Sequence, residues 1–224
     1  MHLARGASPV TKPIPPHAGQ RTLRLGAPLG SSRAAVIMIH GRGAGPTNIV
    51  ELVPSIDHPQ VAYLAPAASG GTWYPAGFMA PIEQNEPGIT SGISVIHALI
   101  DEVLRAGIAA DRVMLLGFSQ GACLACTAAQ RRPRRYGGVV IFSGGLIGPP
   151  GTAWNENGTF GATPVFLGCS AHDPHIPEAR VHETAGVFER MGAEATTRIY
   201  PGADHVVNQD EIAMARDLLA RLAS

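Results

Sequence analysis

The chain has 224 residues, 45% of them apolar, which is ordinary for a globular protein and enough for one domain with a large core. Its 17 Lys and Arg residues balance 17 Asp and Glu residues, and this zero formal charge argues against nucleic acid as a partner. No apolar run approaches the ~20 residues that span a bilayer. Three cysteines do not make a disulfide framework, so we expect a reducing, cytoplasmic setting.

Residues 1–20 form the first predicted segment. They include four prolines and lack the apolar core of ~7–15 residues that a signal peptide needs. We expect a flexible N-terminal arm here, followed by a single domain over residues 21–224.

From residue 21 onwards, short apolar runs alternate with segments of helical periodicity. The continuous apolar run at 34–39 is typical of a strand covered on both faces. The pattern predicts strands at 21–26, 34–39, 61–64, 113–116, 138–142, 164–168 and 196–200, and helices at 90–105, 122–130, 178–191 and 209–222. This alternation predicts an α/β fold with a mostly parallel central sheet flanked by helices.

The segment 113–122, VMLLGFSQGA, carries the strongest chemical signal. An apolar run ends in Gly-x-Ser-x-Gly, and small residues that can begin a helix follow. In this strand–turn–helix context the pattern predicts a nucleophile elbow with Ser119 at its tip. Side chains at Gly117 and Gly121 would crowd such a tight turn. A serine hydroxyl is a weak nucleophile, so it needs an adjacent base.

Candidates for that base and its partner follow other predicted strands, at the carboxyl edge where sites form in open α/β sheets. Ser119, Asp173 and His205 occur in the Ser–acid–His order of α/β hydrolases. His205 would take the serine proton, and Asp173 would orient its ring. Asp204 is a rival acid, but sequence neighbours rarely face each other as required, so we favour a loop or capping role for it.

An oxyanion formed by attack on a carbonyl needs two backbone donors. We expect one from the N–H of Gln120, at a helix N-terminus where the helix dipole helps. The second is expected from the loop His40-Gly41-Arg42-Gly43, at Arg42. We expect His40 to anchor this loop by hydrogen bonds.

Large apolar side chains lie on two long segments, 66–89 and 143–163, that have no predicted helix or strand. Loops of this length are usually functional or disordered. With one residue from the Asp173 loop, they predict a substrate pocket walled by Trp73, Tyr74, Phe78, Leu146 and Ile176. The alternative is that these side chains only cover the core.

Together these motifs resemble the phospholipase/carboxylesterase family of serine α/β hydrolases, which includes acyl-protein thioesterases and bacterial carboxylesterases and is related to dienelactone hydrolases. The motifs that carry the resemblance are HGRG at 40–43, GFSQGA at 117–122, HDPHIP at 172–177 and YPGADH at 200–205. The resemblance implies the α/β-hydrolase fold and ester or thioester hydrolysis through an acyl-serine, without a cofactor. It also implies the triad and oxyanion donors named above.

Two further segments, GTWYP at 71–75 and EQNE at 83–86, look more like a bacterial subgroup than like the acyl-protein thioesterases. The sequence therefore predicts a serine carboxylesterase that acts on short- to medium-chain carboxylic esters of small molecules, without a metal.

Three other functions stay open at this point. One is a thioesterase or deacylase with the same triad. Another is a non-catalytic α/β-hydrolase-like protein that binds a small ligand. The third is a metal-dependent hydrolase that uses His172, Asp173 and His175, although this cluster lacks a further ligand group. The sequence also leaves a homodimer open.

Overall fold

A central sheet organises the computed structural model, which describes residues 11–223. Within those residues, seven strands pair in the order β1-β3-β2-β4-β5-β6-β7. The strands are β1 (Thr22–Gly26), β2 (Ala34–Ile39), β3 (Val61–Pro66), β4 (Val113–Phe118), β5 (Gly138–Phe142), β6 (Pro164–Ser170) and β7 (Glu194–Tyr200). Only the edge strand β1 runs antiparallel to its neighbour among these pairs. The predicted mostly parallel sheet is confirmed.

Helices cover both faces of this sheet. They are α1 (Pro46–Ile49), α2 (Val53–Ile56), α3 (Gly88–Arg105), α4 (Gln120–Arg131), α5 (Glu178–Arg190) and α6 (Gln209–Ala223). The four longer helices lie where apolar periodicity predicts them. The pattern missed α1 and α2, because four residues are too few to show a helical repeat. Within residues 11–223, no helix is long and apolar enough to cross a bilayer.

Two apolar cores result from the alternation of side chains along each strand. Ile37 of β2 belongs to the first core, between the sheet and α3, α4 and α5. Met38, the next residue, belongs to the second core, between the sheet and α1, α2 and α6. A strand buried on both faces must be apolar throughout, which explains the unbroken apolar runs in the sequence.

Residues 11–20 are anchored to the domain by hydrogen bonds, although most of them are exposed and only His17 is buried, so this part of the predicted flexible arm has a defined place. The amide of Thr11 donates to Asp101 Oδ2 at 2.8 Å, and the amide of His17 donates to Ser91 Oγ at 2.9 Å. Both acceptors lie on α3. This docking uses isolated polar side chains rather than an apolar stripe, so hydrophobic periodicity gave no sign of it. Residues 1–10 of the predicted arm lie outside the described residues.

Candidate active site

The chain turns sharply between β4 and α4, and Ser119 occupies the corner with φ 56° and ψ −123°. A positive φ is unfavourable for a residue with a side chain and is typical of strained functional positions. A Cβ on Gly117 would lie 2.5 Å from the Gly121 carbonyl oxygen, and one on Gly121 would lie 2.2 Å from that of Ile39. Neither position therefore accepts a side chain, and the tight turn predicted from the sequence is present.

Three side chains from distant segments meet at this corner. His205 Nε2 lies 2.7 Å from Ser119 Oγ, and His205 Nδ1 lies 2.7 Å from Asp173 Oδ2. Because a carboxylate only accepts hydrogen bonds, Nδ1 carries the proton of the neutral ring. Nε2 is then free to accept the serine proton. Asp204, the rival acid, has an exposed side chain.

The Asp173 carboxylate is fully buried and uses both of its oxygens. Oδ2 contacts His205, while Oδ1 accepts the backbone N–H groups of His175 at 2.8 Å and Ile176 at 3.0 Å. Burial alone would raise the pKa of Asp173, but these hydrogen bonds hold that pKa below its ordinary value. The carboxylate is therefore ionised at neutral pH, as orienting and stabilising an imidazolium requires.

Two rings fix the imidazole of His205 from its sides. The Phe118 ring centroid lies 4.9 Å away, and the His175 ring meets it edge to face at 4.8 Å. His172 is exposed and does not join this group. Over residues 11–223, no three His, Cys, Asp or Glu side chains are grouped in a way that could hold a metal ion.

His40 anchors the loop that follows β2, as the sequence predicts. Its Nε2 accepts the Ala68 amide at 3.0 Å, and its Nδ1 donates to the Gly41 carbonyl at 2.8 Å. Burial is the main reason that the pKa of His40 lies below its ordinary value, so the ring is neutral. A Cβ on Gly41 would lie 3.4 Å from the Cβ of Ser119. The anchor therefore holds the chain that carries Arg42 beside the serine.

Gln120 begins α4, where the first backbone N–H groups have no acceptor within the helix. Its buried side chain makes two hydrogen bonds that the sequence did not predict. Oε1 accepts the Trp73 amide at 2.9 Å, and Nε2 donates to the Tyr74 carbonyl at 2.8 Å. Gln120 thus also holds the segment that contains Trp73 and Tyr74 in place. Its type was visible in the Ser-Gln pair, but its partners lie 46 and 47 positions away.

A cavity of about 600 Å³ opens at Ser119. One half is lined by Tyr74, Phe78, Cys123 and Ile176, which belong to the first core. We call this the first-core half. The opposite half is lined by Ile49, Leu52, Phe118 and Val207, which belong to or pack against the second core, and we call it the second-core half. The cavity therefore straddles the carboxyl edge of the sheet, and has room for apolar groups on two sides of a scissile carbonyl.

Known proteins resemble this chain in sequence and in fold. Residues 23–223 match the sequence model described as Phospholipase/Carboxylesterase. The chain belongs to the phospholipase/carboxylesterase family. The resemblance inferred from the four motifs is therefore confirmed, and the chain is a member of a hydrolase family of carboxylesterases and acyl-protein thioesterases.

Individual relatives fit the same family. A solved phospholipase/carboxylesterase from Dyadobacter fermentans is 36% identical, with a TM-score of 0.86 over 90% of this chain and 97% of that one. An acyl-protein thioesterase 1 from Debaryomyces hansenii is 25% identical over 88% of this chain and 94% of its own length. A probable carboxylesterase, SOBER1-like, from Arabidopsis thaliana is 24% identical over 81% and 76%, respectively.

The predicted pocket of this family member needs two corrections. Tyr74, Phe78 and Ile176 line the cavity, but Trp73 and Leu146 do not. Trp73 is fully buried behind the wall, where its indole N–H donates to the His40 carbonyl at 2.9 Å. Leu146 is also fully buried, in the first core. Both are large apolar loop residues, and the sequence could not tell a wall from its support.

A buried cation holds the loop that contains Leu146. Arg180 Nη1 donates to the carbonyl oxygens of Leu146 and Gly148, both at 2.8 Å. The Leu146 amide donates to Thr184 Oγ1 at 2.9 Å, so the loop is tied to α5. These contacts turn the Leu146 side chain into the core rather than into the cavity.

Proposed function

We propose that the protein is a serine carboxylesterase that hydrolyses short- to medium-chain carboxylic esters through an acyl-serine intermediate. The observation that carries this proposal is the hydrogen-bonded line from Asp173 through His205 to Ser119, at 2.7 Å for each step, at a cavity lined mainly by apolar groups. A serine becomes a nucleophile when a histidine oriented by a carboxylate can take its proton in this way.

In the first half of the reaction, Ser119 Oγ attacks the ester carbonyl while His205 Nε2 takes its proton. The tetrahedral oxyanion accepts hydrogen bonds from the backbone N–H groups of Gln120 and Arg42. The carbon–oxygen bond to the alcohol then breaks, and His205 returns the proton to the departing alkoxide. Asp173 stabilises the transient imidazolium.

In the second half, water takes the place of the alcohol. His205 removes a proton from the water as it attacks the acyl-serine, and the oxyanion is again held by the two backbone donors. Collapse releases the carboxylic acid and returns the proton to Ser119 Oγ. All proton transfers use the chain's own side chains, so the cycle needs no cofactor.

The cavity supports a small-molecule ester as substrate. Its volume of about 600 Å³ is in the range of sites that enclose a small ligand. In the first-core half, Cys123 belongs to the wall, and burial raises the pKa of its thiol to about 11. At neutral pH this thiol is uncharged and behaves as a small apolar group, which suits an acyl chain.

A thioesterase with the same machinery is the second candidate, because relatives include proteins named acyl-protein thioesterase 1. An oxygen ester and a thioester with the same acyl chain separate the two functions through their kcat/KM values. We also propose a cytoplasmic location, since all three cysteines are unpaired thiols.

The test is a panel of 4-nitrophenyl esters of increasing acyl length, measured with wild type and Ser119→Ala. We expect an optimum at short to medium length in the wild type. Turnover should fall by about 10⁴-fold or more in the variant, because the triad acts as a unit. The variant should keep its fold, as the change removes a single hydroxyl oxygen.

Wild-type turnover by pure Ser119→Ala protein would overturn the proposal. A folded wild type that hydrolyses none of the esters and thioesters would instead favour the ligand-binding alternative.

A further inference from the structure

Fixed charge is almost absent from the residues that line the cavity. In the part of the chain that the structure describes, the lining set contains one arginine, Arg42, and no aspartate or glutamate. The other lining residues are apolar or carry uncharged polar groups, apart from histidines. A permanent positive charge at the exposed edge of an apolar cavity attracts an anionic ester more strongly than a neutral ester of similar size.

The position of this charge is fixed by the wall. Arg42 Nη1 donates to the Pro75 carbonyl at 2.7 Å, and Nη2 donates to the Ala76 carbonyl at 2.5 Å. That segment is held in turn by fully buried Asn85, which accepts the Ala76 amide and donates to the Gly77 carbonyl, both at 2.8 Å. The guanidinium is therefore oriented before any substrate arrives, which reduces the entropy lost on binding.

The guanidinium lies beside the first-core half of the cavity. Its central carbon is 5.9 Å from the ring centroid of Tyr74, one of the residues that line that half. No salt bridge to Arg42 occurs within residues 11–223. A guanidinium has five N–H donors, and the two carbonyl bonds leave others free for a carboxylate.

The acyl part of a substrate is expected in this same half. The alcohol must leave towards His205, because His205 donates the proton that it needs. The ring of His205 packs against Phe118, which lines the second-core half. The acyl chain then extends the other way, past Tyr74. A group on the far part of that chain would approach the guanidinium of Arg42.

From this arrangement we infer that the preferred substrates are esters whose acyl part carries a second, ionised carboxylate, and that the Arg42 side chain binds it. The inference rests on the proposed esterase function and narrows its substrate class to half-esters of dicarboxylic acids. Arginine suits this role because its planar fork matches a carboxylate in two-point hydrogen bonding. This role is separate from the backbone N–H that Arg42 offers to the oxyanion.

The test compares two esters of one acyl chain. One is the 4-nitrophenyl half-ester of adipic acid, which ends in a carboxylate. The other is the same compound with that carboxylate methylated, and it is neutral. We expect the wild type to show a kcat/KM roughly tenfold higher for the anionic ester, and this ratio should fall as salt screens the pair.

Substitutions then assign the effect to one side chain. Arg42→Met removes the charge at similar length and should abolish the preference, while Arg42→Lys should restore part of it. Arg24→Met is the matched control, because Arg24 binds Glu102 on the surface, at 2.7 Å, and does not line the cavity. The control should keep the wild-type ratio.

A wild type that prefers the neutral ester, or a folded Arg42→Met variant that keeps the wild-type ratio, would overturn the inference. If Arg42→Met does not fold, the lysine variant and the salt dependence decide in its place. Equal turnover of both esters by the wild type contradicts the inference alone. Turnover of neither ester, without reaction with a fluorophosphonate, contradicts the proposed function as well.

Discussion

The hydrogen-bonded line at Ser119 and the walls of the cavity above it are built in different ways. Ser119, Asp173 and His205 each follow a strand of one sheet, so the parallel order of β4, β6 and β7 brings them to the same edge. Part of the wall, from Tyr74 to Phe78, instead comes from an irregular segment that the buried side chains of Gln120 and Asn85 hold by hydrogen bonds. The catalytic candidates are thus placed by the topology of the sheet, while this part of the wall depends on hydrogen bonds between residues distant in sequence.

The largest expected effect tests the line itself. Asp173→Asn should lower kcat by about 10³–10⁴-fold, because an amide cannot favour the required tautomer or stabilise the imidazolium. Asp204→Asn, a neighbour of His205 with an exposed side chain, should leave kcat nearly unchanged. Steady-state kinetics on a 4-nitrophenyl ester compare the two variants. Equal losses, or a larger loss at position 204, would move the acid away from Asp173.

The next largest effect is expected on stability, at the buried side chain of Gln120. Gln120→Met should lower the free energy of unfolding by roughly 2–6 kcal/mol, because it leaves the Trp73 amide and the Tyr74 carbonyl buried without partners. Urea denaturation measures the loss. Gln84→Met, at a residue with an exposed side chain, is the control and should change stability little. A stable Gln120→Met protein would show that these two bonds do not hold the wall.

A smaller effect is expected at Glu211, a buried carboxylate on α6. Glu211 is 1% exposed, and its Oε2 accepts the Asn208 amide at 2.8 Å. Burial is the main cause that raises its pKa to about 7, and the nearby charges of Asp210 and Asp173 add to it. Between pH 4.5 and about 7 the native state therefore binds a proton that the unfolded state has lost. Stability should fall as pH rises through this window and then level off.

Glu211→Gln removes that proton equilibrium. The stability of the variant relative to wild type should improve by about 3 kcal/mol between pH 4.5 and pH 7.5, a value that follows from the difference between the two pKa values. Urea denaturation at several pH values checks this, with the exposed Glu51→Gln as the control. A difference between variant and wild type that does not change with pH would show that Glu211 does not titrate in this range.

Sequence reasoning was most successful where the structure is specified locally. The limits of β2 and β5 are those predicted, because strands buried on both faces leave unbroken apolar runs. The family and its fold followed from short motifs. The packing of residues 11–20 did not, since a polar residue such as His17 shows nothing of a partner 74 positions away. The assignment of Trp73 to the cavity wall was wrong for the same reason, because its hydrogen-bond partner His40 is distant in the sequence.

The central claim is that Ser119 forms a covalent intermediate, and mass spectrometry after reaction with a fluorophosphonate tests it most directly. We predict one added phosphonyl group on the peptide that contains Ser119, with no label in the Ser119→Ala protein. Label on another residue, or none on folded and pure wild-type protein, would contradict the account.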